Sequence, residues 1–61
     1  MKTITERKIG HGDYVKISQN MIKYGGSFAA ALGAALLHAD FRNKRKIITT
    51  WPDLCQKYLE I

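Results

Sequence analysis

The feature that most constrains this chain is a stretch of small, uncharged residues followed directly by a run of positive charge. Residues 25–39 contain only glycine, alanine, serine, leucine, phenylalanine and histidine, and the first carboxylate comes at Asp40. Small side chains let a neighbouring helix come close, so this stretch predicts a tightly packed helix. The cations that follow, Arg42, Lys44, Arg45 and Lys46, predict an electropositive surface.

The size and composition limit the fold and the partners. A chain of 61 residues forms one domain that is marginally stable by itself, so tight packing, a metal or a partner must contribute to its stability. Its one cysteine, Cys55, excludes an intramolecular disulfide and is typical of a reducing cytoplasm. The net charge of +5 favours nucleic acid, anionic lipid or an acidic protein as partner. The longest apolar run is too short to span a membrane.

The apolar spacing predicts a mainly α fold, a small bundle of three or four short helices. We expect an extended or hairpin-like arm over residues 1–12 and a helical domain over residues 13–61. Asp13 is a suitable N-cap for the first helix. An alternative is a hairpin that pairs residues 4–9 with residues 14–17. The first helix would place its apolar face at Tyr14, Ile17, Met21, Tyr24 and Phe28, which are three and four residues apart.

A second helix is predicted to begin at Ser27, because Gly25-Gly26 disfavours continuation of the first. It carries two stripes at helical spacing. One is apolar and consists of Phe28, Leu32, Leu36 and Ala39. The other is smooth and consists of Gly25, Ala29 and Gly33, which predicts either a close helix crossing within the chain or the seam of a homodimer.

The third and fourth helices are predicted from their caps. Asp40 can cap a helix that stops near Thr49-Thr50, and Thr50 can cap the next one, with Pro52 in its first turn. The apolar face of the third helix would consist of Phe41, Lys44, Ile47, Ile48 and Trp51, with the lysine stem along the apolar surface. That of the fourth would consist of Leu54, Cys55, Tyr58, Leu59 and Ile61.

The sequence contains little that carries chemistry. Cys55 lies at a core-like position, where thiols are usually unreactive, so no catalytic residue and no enzyme activity are predicted. His11, His38 and Cys55 have no spacing typical of a zinc site, so no metal and no cofactor are predicted.

The basic block is the candidate binding site. If it is helical, Arg42, Arg45 and Lys46 share one side, where they can contact phosphates or an acidic protein groove. The alternative is a solvated face with no partner. A helix-turn-helix interpretation has weak support, because Asn43 is the one plausible base reader. The complete set of predicted partner- or phosphate-binding residues is Arg42, Asn43, Lys44, Arg45, Lys46, Trp51 and Tyr58.

Residues 24–59 combine a glycine-serine-aromatic start (Tyr24 to Phe28), an alanine-rich helix, an Ala39-Asp40 junction and an aromatic-proline opening at Trp51-Pro52. Further positions of the same pattern are Ala31, Leu32, Asn43, Lys46, Ile47 and Tyr58. With this pattern the chain resembles a group of small helical proteins of phages and other mobile elements. The resemblance implies a helical fold and a mobile-element context. It brings no catalytic residues and does not cover the N-terminal arm.

Two functional hypotheses follow. In the first, the protein acts in the host cytoplasm and inhibits a defence nuclease, such as a CRISPR-Cas effector, by direct binding, as anti-CRISPR proteins do. Its basic charge disfavours DNA mimicry. In the second, it is a small nucleic-acid-binding regulator that dimerises through the smooth stripe. Capture of a small anionic signal, such as a cyclic nucleotide, is a third alternative.

Overall fold

The computed structural model describes residues 9–61 and contains four α-helices and no strand in that range. They are α1 (His11–Tyr24), α2 (Ser27–His38), α3 (Phe41–Thr50) and α4 (Pro52–Leu59). The mainly helical fold is thereby confirmed. Residues 1–8 of the predicted arm lie outside the described residues.

The first helix begins earlier than its sequence suggests. Gly10 occupies the N-cap position, and the carboxylate of Asp13 accepts a hydrogen bond from the Gly10 N–H at 3.1 Å. Asp13 was predicted as the N-cap, which is wrong: it stabilises the helix from the third helical position, where its charge also complements the helix dipole. Because residues 14–17 are helical, the hairpin alternative is wrong as well.

The helices α1 and α2 cross with their backbones very close together. Gly33 is buried, and a Cβ built on it would lie 2.7 Å from the Cβ of Met21 and 2.8 Å from the carbonyl oxygen of Ser18. Real Cβ atoms do not approach other atoms so closely, so only glycine allows this separation of the two backbones. Ser18 is itself fully buried, and its hydroxyl donates to the Tyr14 carbonyl at 2.8 Å.

The crossing determines which side of α2 faces inward. The buried residues of α2 are Ala29, Gly33 and Leu36. Phe28 begins the larger apolar stripe and was expected to be buried with it, yet 59% of its surface is exposed. The smooth stripe therefore packs within the chain, and its buried members do not form an open seam for a second copy.

The last two helices meet at Trp51. Asp40 caps α3 as predicted, because its carboxylate accepts from the Asn43 N–H at 2.8 Å. Thr50, predicted to cap α4, is instead the last residue of α3, and its hydroxyl donates to the Lys46 carbonyl at 2.6 Å. Trp51 occupies the N-cap position and Pro52 the first turn of α4.

One hydrophobic core connects all four helices. Its buried members are Tyr14, Ile17, Met21, Ala29, Leu36, Ile48, Cys55, Tyr58 and Leu59. A polar contact supplements this packing, since the Asn20 side-chain amide on α1 donates to the Tyr58 carbonyl at 2.8 Å. That carbonyl lies in the last turn of α4, where no partner within the helix is available to it.

We predict opposite effects for alanine at two helical glycines. Gly33→Ala should lower the free energy of unfolding by about 2 kcal/mol, because its methyl group would overlap α1. Gly12→Ala should raise it by about 0.5–1 kcal/mol, because nothing lies within 4 Å of a Cβ at Gly12 and alanine favours the helix. Urea denaturation followed by far-UV circular dichroism measures both changes. Equal effects at the two positions would contradict the close crossing.

A second prediction concerns the contact between α1 and α4. Asn20→Ala should cost about 1 kcal/mol of unfolding free energy, because it removes the donor from the Tyr58 carbonyl. Gln19→Ala is the matched control, since Gln19 is the preceding residue of the same helix and is exposed. Thermal denaturation of the two variants measures the difference, and indistinguishable melting temperatures would refute the role of Asn20.

Candidate functional site

The outer face of α3 is a strip of cations, formed by Arg42, Arg45 and Lys46 and called here the α3 strip. All three residues are exposed. Residues three and four apart in a helix are surface neighbours, so the strip places its charges on one side of α3. Asn43 is also exposed, and its backbone N–H is used by the Asp40 cap.

The charge of the α3 strip is not offset along its own helix. No residue of α3 is acidic, and the adjacent Asp40 accepts the capping hydrogen bond at the N-terminal end. The hydroxyls of the last turn are also engaged, since Thr49 donates to the Arg45 carbonyl at 2.9 Å and Thr50 to that of Lys46. The side-chain donors that this face offers to a ligand are therefore mainly cationic.

The fourth cation of the block, Lys44, has a different environment. It is half-buried, and its Nζ lies 5.5 Å from the centre of the Tyr14 ring on α1. Such a cation–π contact links α3 to α1 and takes Lys44 away from the outer face. Lys44 was predicted both as a binding residue and as a lysine on the apolar side, and the geometry favours the second role.

Exposed aromatic residues lie at both ends of α3. At its start, Phe41 is 67% exposed and makes an edge-type contact with Tyr14, with ring centres 6.4 Å apart. Just past its end, Trp51 is 38% exposed and makes a similar contact with Phe28, at 5.9 Å. Sequence reasoning included Trp51 in the site and missed Phe41 and Phe28, because both fit apolar stripes at helical spacing.

Tyr58 does not belong to this surface. It is 5% exposed and is part of the core, so the structure does not present its ring to a partner. Of the predicted packing residues, Ala29 and Gly33 lie on the inner side of α2, and Gly25 is the C-cap of α1, where a Cβ would overlap the Met21 carbonyl oxygen and the Cβ of Ala29. Neither group contributes to the α3 strip.

The residues considered for chemistry are dispersed. Cys55 is fully buried, and its burial raises the pKa of the thiol from 9.0 to about 11. Such a thiol is protonated and inaccessible at neutral pH, which is the opposite of what a nucleophile needs. His11 and His38 are both exposed. Within residues 9–61, no three histidine, cysteine, aspartate or glutamate side chains are grouped so that they could hold a metal ion.

None of the four helices of the described range combines the length and the apolar character needed to cross a bilayer.

No family model matches the chain, and neither the curated proteins nor the solved structures contain a significant match to it.

The buried thiol predicts a loss of stability at alkaline pH. The pKa of the Cys55 thiol is 9.0 in an unburied setting such as the unfolded chain and about 11 in the folded protein, so the folded state binds the proton more tightly. This contribution to the free energy of unfolding is fully present below pH 9. It falls by about 2–3 kcal/mol as the pH rises from 9 through 11. Unfolding free energies measured across this range should decline more steeply for the unchanged protein than for Cys55→Ala. Parallel pH profiles would disprove the contribution of Cys55.

Proposed function

We propose that this protein is a non-enzymatic interaction protein of a phage or mobile element that inhibits a host defence nuclease, such as a CRISPR-Cas effector, by direct binding. The observation that supports the binding role is the α3 strip, with the exposed rings of Phe41 and Trp51 at the ends of the same helix. The mobile-element context rests on the resemblance of residues 24–59. The site of action would be the host cytoplasm.

The α3 strip suits an anionic partner for electrostatic and structural reasons. Exposed cations with no acidic neighbour on their helix attract an oppositely charged surface and accelerate its association. Arginine and tryptophan are also enriched among the residues that dominate binding energies at interfaces. The partner surface would be either an acidic patch of the effector or the place where the effector holds nucleic acid.

A small nucleic-acid-binding regulator is the second candidate. The i, i+3 and i+4 spacing of Arg42, Arg45 and Lys46 favours it, because this spacing allows one helix face to contact successive phosphates. A homodimer can accompany this function only through a surface other than the smooth stripe of α2, which is occupied by α1.

The proposal is tested by capture of partners from a host lysate with the tagged protein, with and without nuclease treatment. We expect one stoichiometric protein partner that survives nuclease, together with protection of a phage that the defence system targets. The triple variant Arg42→Glu, Arg45→Glu, Lys46→Glu should weaken this interaction on the order of 100-fold, because it reverses the charge of the surface.

The matched control is the triple variant Lys16→Glu, Lys23→Glu, Lys57→Glu. It makes the same change in net charge at exposed lysines of α1 and α4 and should retain most of the affinity. If both triple variants bind equally well, α3 is not the binding surface. If the protein captures no defence component and gives no protection, the inhibitor function is refuted; recovery of nucleic acid alone would favour the regulator.

A further inference from the structure

We propose that the ligand of α3 is a single-stranded segment of nucleic acid, with phosphates on the α3 strip and an unpaired base stacked on Phe41. This inference rests on the assignment of α3 as the binding surface in the proposed function. It goes further by naming the chemical class of the ligand and by giving Phe41 a direct role.

The accessibility of Phe41 is the first argument. With 67% of its surface exposed, it is more open than any other large apolar side chain of the described residues. Its edge-type contact with Tyr14 holds the ring in place at 6.4 Å without covering it. A ring that is positioned and still open to solvent is a platform on which a base can stack.

The register of α3 is the second argument. Phe41 and Arg45 are four residues apart, as are Arg42 and Lys46, so the ring and the three cations form two adjacent rows on the helix surface. A nucleotide presents a flat apolar base and a charged phosphate within a short distance of each other. Two rows that combine an aromatic ring with cations therefore match the alternating chemistry of a single strand.

The distribution of charge on α3 also suits this ligand. The outer face of α3 has cations along its middle and aromatic rings at its ends. A strand with a charged backbone and separated bases fits that arrangement, and it can be bound at the place where the effector holds nucleic acid.

The open ring of Phe41 favours an unpaired base over a duplex. In a duplex the bases are stacked on each other and present only their edges in the grooves, so their faces are not open to a side-chain ring. Stacking on an open ring requires an unpaired base, which only a single strand or loop supplies.

The inference is tested by titration of the full chain with a labelled oligothymidylate and with a duplex of the same length. Fluorescence anisotropy should show at least tenfold tighter binding to the single strand. Trp51, the only tryptophan of the chain, provides an independent signal from its intrinsic fluorescence. If the three cations of the α3 strip neutralise three phosphates, a plot of the logarithm of the association constant against the logarithm of the salt concentration should have a slope of about −2.

Two pairs of variants separate stacking from charge. Phe41→Leu should weaken binding to the single strand about tenfold or more while leaving the salt slope unchanged, because it removes only the aromatic ring. Tyr24→Leu, which removes an exposed ring from α1, should have no effect. Arg45→Ala should reduce the salt slope by about 0.7, whereas Lys16→Ala should leave it unchanged.

The results also distinguish this inference from the proposed function. The single-strand assignment would be overturned if the protein bound the duplex as tightly as the single strand or more tightly. It would also be overturned if heparin competed with the oligonucleotide and Phe41→Leu had no effect on binding. Absence of oligonucleotide binding would also overturn it, even if the lysate yields a protein partner that survives nuclease and the inhibitor function stands. Failure of both experiments would refute both proposals.

Discussion

The close crossing of α1 and α2 is the contact on which the rest of the structure depends. Gly33 lies against Met21 and the Ser18 carbonyl at a separation that no other residue type allows. Because the backbones are so near, α2 packs at the crossing through small residues, Ala29 and Gly33, with Leu36 as its one large buried side chain. Phe28, on the same helix, is left exposed and contacts Trp51 at the junction of α3 and α4.

Local polar contacts support this crossing without competing with it. Ser18 is buried at the crossing, but its hydroxyl donates to a carbonyl of its own helix, so no polar group is left unsatisfied there. Asn20, on the same helix, donates to the last turn of α4. A single helix, α1, thus contacts α2 through backbone proximity and α4 through a hydrogen bond, which explains how a chain with few large buried residues can maintain its arrangement.

The peripheral position of α3 accounts for the candidate site. Ile48 is the only buried residue of this helix, so most of its surface remains in solvent. Lys44 and Phe41 lie against Tyr14 at one end, and Trp51 lies against Phe28 at the other. These contacts hold the two ends of α3 while its middle presents cations. A short helix that is fixed at its ends and open along its face is well suited to binding an extended, charged ligand.

The sequence by itself determined the features that depend on neighbouring residues. The break at Gly25-Gly26, the Asp40 cap and the basic face of α3 follow from backbone preferences, from a capping contact three residues away and from helical spacing, all of which act within one turn. The tertiary structure decided which apolar residues are buried. Phe28 and Tyr58 have equally good helical spacing, yet one is exposed and the other is in the core. The reason is that burial depends on how the helices pack, and packing is decided by contacts between residues far apart in the sequence, such as Gly33 against Met21 and Asn20 against Tyr58.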